Sequence, residues 1–212
     1  MEQFFPYGQT ETDYLSAREP RMAALICVAG HIDRPVRPGS VYAGLVDSIL
    51  GQQISTAAHN TIRGRITERF GELTPEKVAS LTDAQLQAVG TTWRKVSYIR
   101  DLTDRVLSGR FDPEGLAGLE DEEVVTALSS LKGIGRWTAE MIMTFTMLRP
   151  DILSYGDLAI RRGIMKLYGL AELSEAKFHA LTDKFSPYRT TAALYFWWYA
   201  NPACTLTLTF DD

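Results

Sequence analysis

One ten-residue stretch constrains this chain more than any other: Leu131-Lys132-Gly133-Ile134-Gly135-Arg136-Trp137-Thr138-Ala139-Glu140. Two glycines one residue apart, with helix-forming sequence on either side, predict a tight turn between two helices. Gly133 and Gly135 can take backbone angles, or allow close approaches, that a side chain would block. The N–H groups opening the second helix have no partner within it, so they suit an anion such as phosphate. Turns of this kind also occur with no ligand. The spacing alone therefore leaves two readings, a structural corner and an anion site.

Both readings require helices around the turn, and the chain supplies helix signals throughout. Residues 12–30 read as a helical pair broken at Glu19-Pro20, followed by a connector, HIDRPVRPG. Ser40 is placed to cap a helix whose stripe is Val41, Leu45, Ile49 and Leu50, with Asp47 off it. Gly51-Gln52-Gln53-Ile54 interrupts the pattern, and Ser55 caps a second helix that ends at Gly71. Thr74-Pro75 opens a short helix, Thr82 with Gln85 makes a capping box, and Gly90 ends that segment. A longer helix is predicted from about Thr92 to Leu107, and another from Glu120 to Leu128. Trp137, Met141, Phe145 and Leu148 recur at helical spacing and predict a packed core face. Arg149-Pro150-Asp151 breaks the pattern, after which Asp157 stands near the start of the next helix. Two more helices follow, the last opened by Pro187 and ending in five consecutive aromatics, Tyr195 to Tyr199. These cannot all share one helix face.

Composition matters here mainly for what it excludes. The formal net charge of -4, from 22 basic and 26 acidic residues, argues against a broad nonspecific grip on nucleic acid but not against a local one. Short basic windows remain, among them Arg94-Lys95 and Lys132 with Arg136, and each also fits a solvated helix face. Cys27 and Cys204 are too few for a disulfide framework, a zinc site or an iron–sulfur cluster, and both are expected as buried thiols. No apolar run is long enough for a membrane span and the start has no signal-peptide pattern, so a cytoplasmic protein with no membrane partner is expected.

The run LKGIGRWTAE with Asp157 twenty-two positions after Gly135 resembles the helix-hairpin-helix DNA glycosylases. Within that superfamily the pair Arg136-Trp137 is most similar to the alkyl-purine branch, the 3-methyladenine DNA glycosylase II group. The resemblance covers roughly residues 20–202 and implies a compact form without the N-terminal β-domain of the long bacterial enzymes. It implies an all-α fold of two helical domains flanking an active-site crevice. Residues 35–148 would be a six-helix barrel carrying the hairpin 131–135, and residues 1–34 plus 149–212 a second domain carrying the catalytic Asp.

The resemblance also implies roles. Asp157 would be the carboxylate facing the flipped deoxynucleotide, where an isolated Asp would otherwise read as a helix cap. Trp137, Trp197, Met141, Leu158 and Tyr155 would line the base pocket, the first two as electron-rich walls for a cationic base. Met141 and Leu158 replace aromatic residues of the best-known long-form enzyme, which leaves the lesion range open. Gln52, Gln53, Trp93, Arg94, Lys132, Gly133, Gly135, Arg136 and Thr138 would contact DNA. Trp93 is read either as core packing or as the apolar wedge that fills the vacated stack. Trp137 takes the position of the Schiff-base lysine of the lyase branch, and an indole cannot act as that amine, so monofunctional hydrolysis is expected.

No cofactor is required on this reading, although the carbonyls of Ser129, Leu131 and Ile134 match positions that hold a structural Na+ or K+ beside the DNA phosphate. The expected partner is damaged double-stranded DNA, bound by a monomer that joins the bacterial nucleoid during repair. Two alternatives stand beside removal of 3-methyladenine, 7-methylguanine and related bases. One is a noncatalytic damage-binding protein; the other is a helix-hairpin-helix glycosylase for oxidised or mismatched bases.

Overall fold

The computed structural model describes residues 3–37 and 39–210, and these divide into two compact units, one within residues 37–142 and the other within residues 1–36 and 143–212. The unit of residues 1–36 and 143–212 opens with α1 (Gln9–Arg18) and α2 (Pro20–Ala29), and the unit of residues 37–142 holds α3 (Val41–Gly51), α4 (Thr56–Phe70), α5 (Pro75–Ser80), α6 (Asp83–Gln87), α7 (Trp93–Leu107) and α8 (Asp121–Ser129). Helix α9 (Arg136–Phe145) contains the boundary between units, and α10 (Leu158–Tyr168), α11 (Glu175–Thr182) and α12 (Arg189–Ala200) complete the chain.

In the unit of residues 37–142, side-chain oxygens start the helices where the sequence places them. Ser40, Ser55, Thr74, Thr82 and Thr92 each accept a bond from the third N–H beyond the cap, satisfying a donor that the helix cannot. Helices α3, α5 and α6 pack on α7, burying Tyr42, Leu45, Ile49, Val78 and Ile99. The Tyr42 hydroxyl shares a 2.7 Å hydrogen bond with Thr103 Oγ1, which satisfies both groups in an apolar surround.

In the other unit α10 lies against α12. Gly163 makes this possible, because a Cβ there would fall inside the van der Waals envelope of the Phe196 carbonyl. Ile160, Ile164, Phe178, Phe185, Tyr195, Phe196 and Tyr199 form the core with Leu15, Met22 and Leu25. The start of α12 is pinned by Asp151, whose carboxylate takes the Arg189 side chain at 2.9 Å through both Nε and Nη2, and by Thr190 Oγ1, which donates to the Arg149 carbonyl. Burial raises the Asp151 pKa, but Arg189 and Ser186 outweigh it and hold the carboxyl below its usual range.

Several expectations are corrected. Inside the connector, β2 (Pro35–Val36) pairs antiparallel with β1 (Gln3–Phe4). Two residues per strand leave no alternation to detect, and Pro35 itself argued against a strand. Cys27 is exposed and Cys204 half-buried, because the covered face of α2 is Met22 and Leu25 and Cys27 lies off it. Pro187 stands two residues before α12 rather than at its first turn. The first helix begins at Gln9, earlier than expected. The stripe on α9 is reversed as well: Ala139, Ile142 and Met143 are buried, while Trp137 is 48% exposed and Met141 and Phe145 half-buried. The division between units falls after Val36 and after Ile142. Residues 143–148 go with the following segment: the Arg149 N–H donates to the Met143 carbonyl and Phe145 stacks on Trp197.

Candidate active site

Asp157 is the cap of α10 and is only 8% exposed. Its Oδ1 accepts from the backbone N–H groups of Ala159 at 2.9 Å and Ile160 at 3.0 Å, and from the indole Nε1–H of Trp197 at 3.1 Å. Three donors thus orient one carboxylate, two of them at the positive end of a helix. Trp197 stacks on Phe145, ring centroids 5.5 Å apart and planes 30° from parallel. The Arg34 guanidinium carbon stands 5.1 Å from the centroid of each ring. Burial lowers the Arg34 pKa, and the charge of Asp157 pulls it back up. Leu158 beside the carboxylate is 51% exposed. Tyr155 is held in packing, edge-on to Phe178 at 5.3 Å with Arg161 over its ring and its hydroxyl on the Leu173 carbonyl.

The hairpin belongs to the other unit. Gly133 has φ of 82°, and a Cβ there would come within 2.5 Å of the Tyr98 ring, so both the backbone angle and the space require glycine. Gly135 has neither constraint; among the described residues nothing lies within 4 Å of its Cβ position. The turn closes through Ile134 N–H to the Leu131 carbonyl at 3.1 Å, and α9 then starts at Arg136. Gln52 donates its side-chain amide to the Gly133 carbonyl at 2.7 Å, tying the α3–α4 junction to the hairpin. Gln53, next to it, is exposed with φ of 56°, a conformation that residues other than glycine seldom take.

The charged hairpin residues have partners inside the unit. Lys132 pairs with Asp101 at 2.7 Å, and this hydrogen bond is the main reason the Asp101 carboxyl is held below its ordinary range. Arg136 is bonded by both oxygens of Glu122 and by Glu140 at 3.0 Å, which keeps its charge more firmly in place. Thr138 is buried in the first turn of α9. At the start of α7 Trp93 is 60% exposed, which removes the core-packing reading. Arg94 donates to the Tyr98 hydroxyl at 2.5 Å.

Two residues escaped the sequence reading. Lys95, read as part of a solvated basic window, is buried, and its ammonium donates to the carbonyls of Leu50 at 2.8 Å and Gln52 at 2.7 Å. Burial lowers its pKa. The available signal was its place four residues before Ile99 on the apolar face of α7. Arg34 had no such signal, because its aromatic partners are more than a hundred positions away.

Comparison with known proteins places these features in a family. Residues 46–187 match the family described as HhH-GPD superfamily base excision DNA repair protein. DNA-3-methyladenine glycosylase 1 of Schizosaccharomyces pombe is 29% identical over 192 residues, covering 87% of this chain and 84% of that protein. A crystal structure of DNA-3-methyladenine glycosidase from Bacillus halodurans superposes with a TM-score of 0.85 at 35% identity, covering 97% of this chain and 95% of the other. The Schizosaccharomyces pombe 3-methyladenine DNA glycosylase in complex with abasic DNA gives a TM-score of 0.73 at 28% identity, over 89% of this chain and 95% of the other.

Proposed function

The chain belongs to the HhH-GPD superfamily of base excision DNA repair proteins, and we propose that it is a monofunctional glycosylase that hydrolyses the N-glycosidic bond of alkylated bases in DNA. The observation that carries this reading is Asp157, a nearly buried carboxylate fixed by two helix N–H groups and the Trp197 indole. Breaking the bond between C1′ and the base nitrogen leaves positive charge on the sugar. A carboxylate already oriented stabilises that charge with little reorganisation. A purine alkylated at N3 or N7 is already cationic, and so it leaves without an acid to protonate it. One carboxylate therefore suffices, unlike the pair used on ordinary glycosides.

The remaining roles follow from the same chemistry. Trp197 is a wall of the base pocket beside Asp157, with Leu158 as further lining. The exposed Trp93 is an apolar wedge at the start of α7. The open Gly135 and the first N–H groups of α9 receive a DNA phosphate, with Gln53 and Arg94 as neighbouring contacts. Lys132, Arg136 and Gln52 support this hairpin through Asp101, Glu122 and the Gly133 carbonyl, and Tyr155 supports the Asp157 unit. The carbonyls of Ser129, Leu131 and Ile134 fall within six residues of the turn and are hard oxygen donors suited to Na+ or K+. Such an ion would add positive charge beside a bound phosphate. Among the described residues no helix is long and apolar enough to cross a membrane, and the protein acts on nucleoid DNA in the cytoplasm as a monomer.

The test is incubation with methylated duplex DNA. The expected products are free base and an abasic strand that stays intact until treated with alkali. Lesion binding without base release would point to a damage-binding protein instead, and strand cleavage without alkali would overturn the monofunctional assignment.

A further inference from the structure

Arg34 is held by its own backbone, since the Phe5 N–H donates to its carbonyl at 2.9 Å. Its guanidinium meets both members of the stacked pair Phe145 and Trp197, each at 5.1 Å. Trp197 in turn donates to Asp157. A fixed cation therefore lies one ring away from the carboxylate and occupies aromatic surface that would otherwise attract a cationic base. We infer that Arg34 sets the charge preference of the Asp157 site, disfavouring a damaged base that arrives as a cation and favouring one that arrives neutral. The inference rests on the reading above, in which Asp157 and Trp197 face the flipped nucleotide.

The electron balance explains the preference. The electron pair of the bond between C1′ and nitrogen leaves with the base. A 7-methylguanine enters with one positive charge and departs neutral. A base such as 1,N6-ethenoadenine enters neutral and departs bearing negative charge, until it takes up a proton equivalent to the one released when water oxygen bonds C1′. A nearby guanidinium favours both departures alike, because each base sheds one unit of positive charge, but it repels only the cationic base as that base enters the site, so the preference is set on the way from free duplex to transition state. Arginine remains charged through the working pH range even with its pKa lowered by burial. The same cation offsets part of the field of Asp157 at the sugar. That effect is common to both substrates and cancels in their ratio.

Single-turnover base release with enzyme well below saturation, which reads the barrier from free duplex to transition state, from two duplexes differing only in the lesion, 7-methylguanine or 1,N6-ethenoadenine, tests the inference in the full chain. For Arg34→Met the ratio of the first rate to the second should rise about tenfold, as expected for a partly screened charge at this range. Arg34→Lys keeps the charge and should leave the ratio within about threefold of wild type on the same argument. Arg34→Gln retains part of the stem and an amide donor, so it gives a second neutral variant if Arg34→Met does not fold; thermal melts identify which variants are folded. An unchanged ratio, with both rates falling together, would overturn the inference and leave Arg34 a packing residue. A ratio moving the other way would overturn it too. Wild-type protein that releases neither base overturns the glycosylase reading and this inference together, whereas release with an unmoved ratio overturns only the role of Arg34.

Discussion

At the scale of single residues, Asp157 has two functions that one substitution separates. As the cap of α10 it needs only a side-chain acceptor for Ala159 and Ile160, which asparagine supplies about as well as aspartate. As a stabiliser of a sugar cation it needs a negative charge, which asparagine lacks. Asp157→Asn should therefore lower the single-turnover rate of base release by about 100-fold or more, the range found when one transition-state contact is lost. Its unfolding free energy should stay within about 1 kcal/mol of wild type. A parallel loss of stability and rate in urea melts and base-release assays would reduce Asp157 to a cap. The candidate carboxylate was legible because a hairpin and an Asp at a set distance make a pattern together. Arg34 was not, since its neighbours Phe145 and Trp197 come from distant parts of the chain and nothing in a proline-containing connector records them.

Among the elements, the hairpin joins two glycines that the sequence treats alike and the structure does not. Gly133→Ala adds a methyl group to a backbone at φ of 82° and drives it into the Tyr98 ring. Strain and overpacking together should cost about 2–4 kcal/mol. Gly135→Ala meets open space, and its cost as the residue before α9 should be below about 1 kcal/mol. If a phosphate approaches there, Gly135→Ala will nonetheless weaken binding to abasic duplex DNA. Urea midpoints and fluorescence anisotropy separate the two effects; equal stability losses, or unchanged binding by Gly135→Ala, would count against this account. Helix starts were readable at this scale because a cap is a local event, as at Ser40, Ser55 and Thr82. The α9 stripe was misread for the opposite reason. Spacing says which of Trp137, Met141 and Phe145 share a face, but what covers that face is decided by residues elsewhere in the fold. Lys95 makes the same point, since a lysine on an apolar face is buried only when carbonyls such as those of Leu50 and Gln52 are ready to receive it.

For the whole molecule, the buried phenols set how stability responds to alkali, and they lie in both units. Burial pushes Tyr42 up to about 12, with the bond to Thr103 acting the other way. Burial also raises Tyr168, reinforced by Glu19, and Tyr195, reinforced by Tyr7. A phenol whose folded pKa exceeds its unfolded value contributes stability that is fully present below about pH 10 and is lost as pH rises through the folded pKa, because the unfolded chain releases its proton first. Lys95 has the opposite sign: its buried ammonium costs stability at neutral pH, and the cost is relieved as pH rises toward the ordinary lysine value. Unfolding free energy from urea melts should therefore fall steeply from about pH 10 upward, where the phenol contributions dominate. Tyr42→Phe isolates one of them. At pH 8 the variant should be less stable by about 1 kcal/mol, because Thr103 loses its hydroxyl partner. By about pH 12 it should be more stable than wild type, since the shift of Tyr42 is worth about 2–3 kcal/mol and phenylalanine carries none of that loss. The crossing of the two stability curves is the decisive feature. Parallel curves would mean that the Tyr42 hydroxyl ionises as readily in the folded protein as in the unfolded chain.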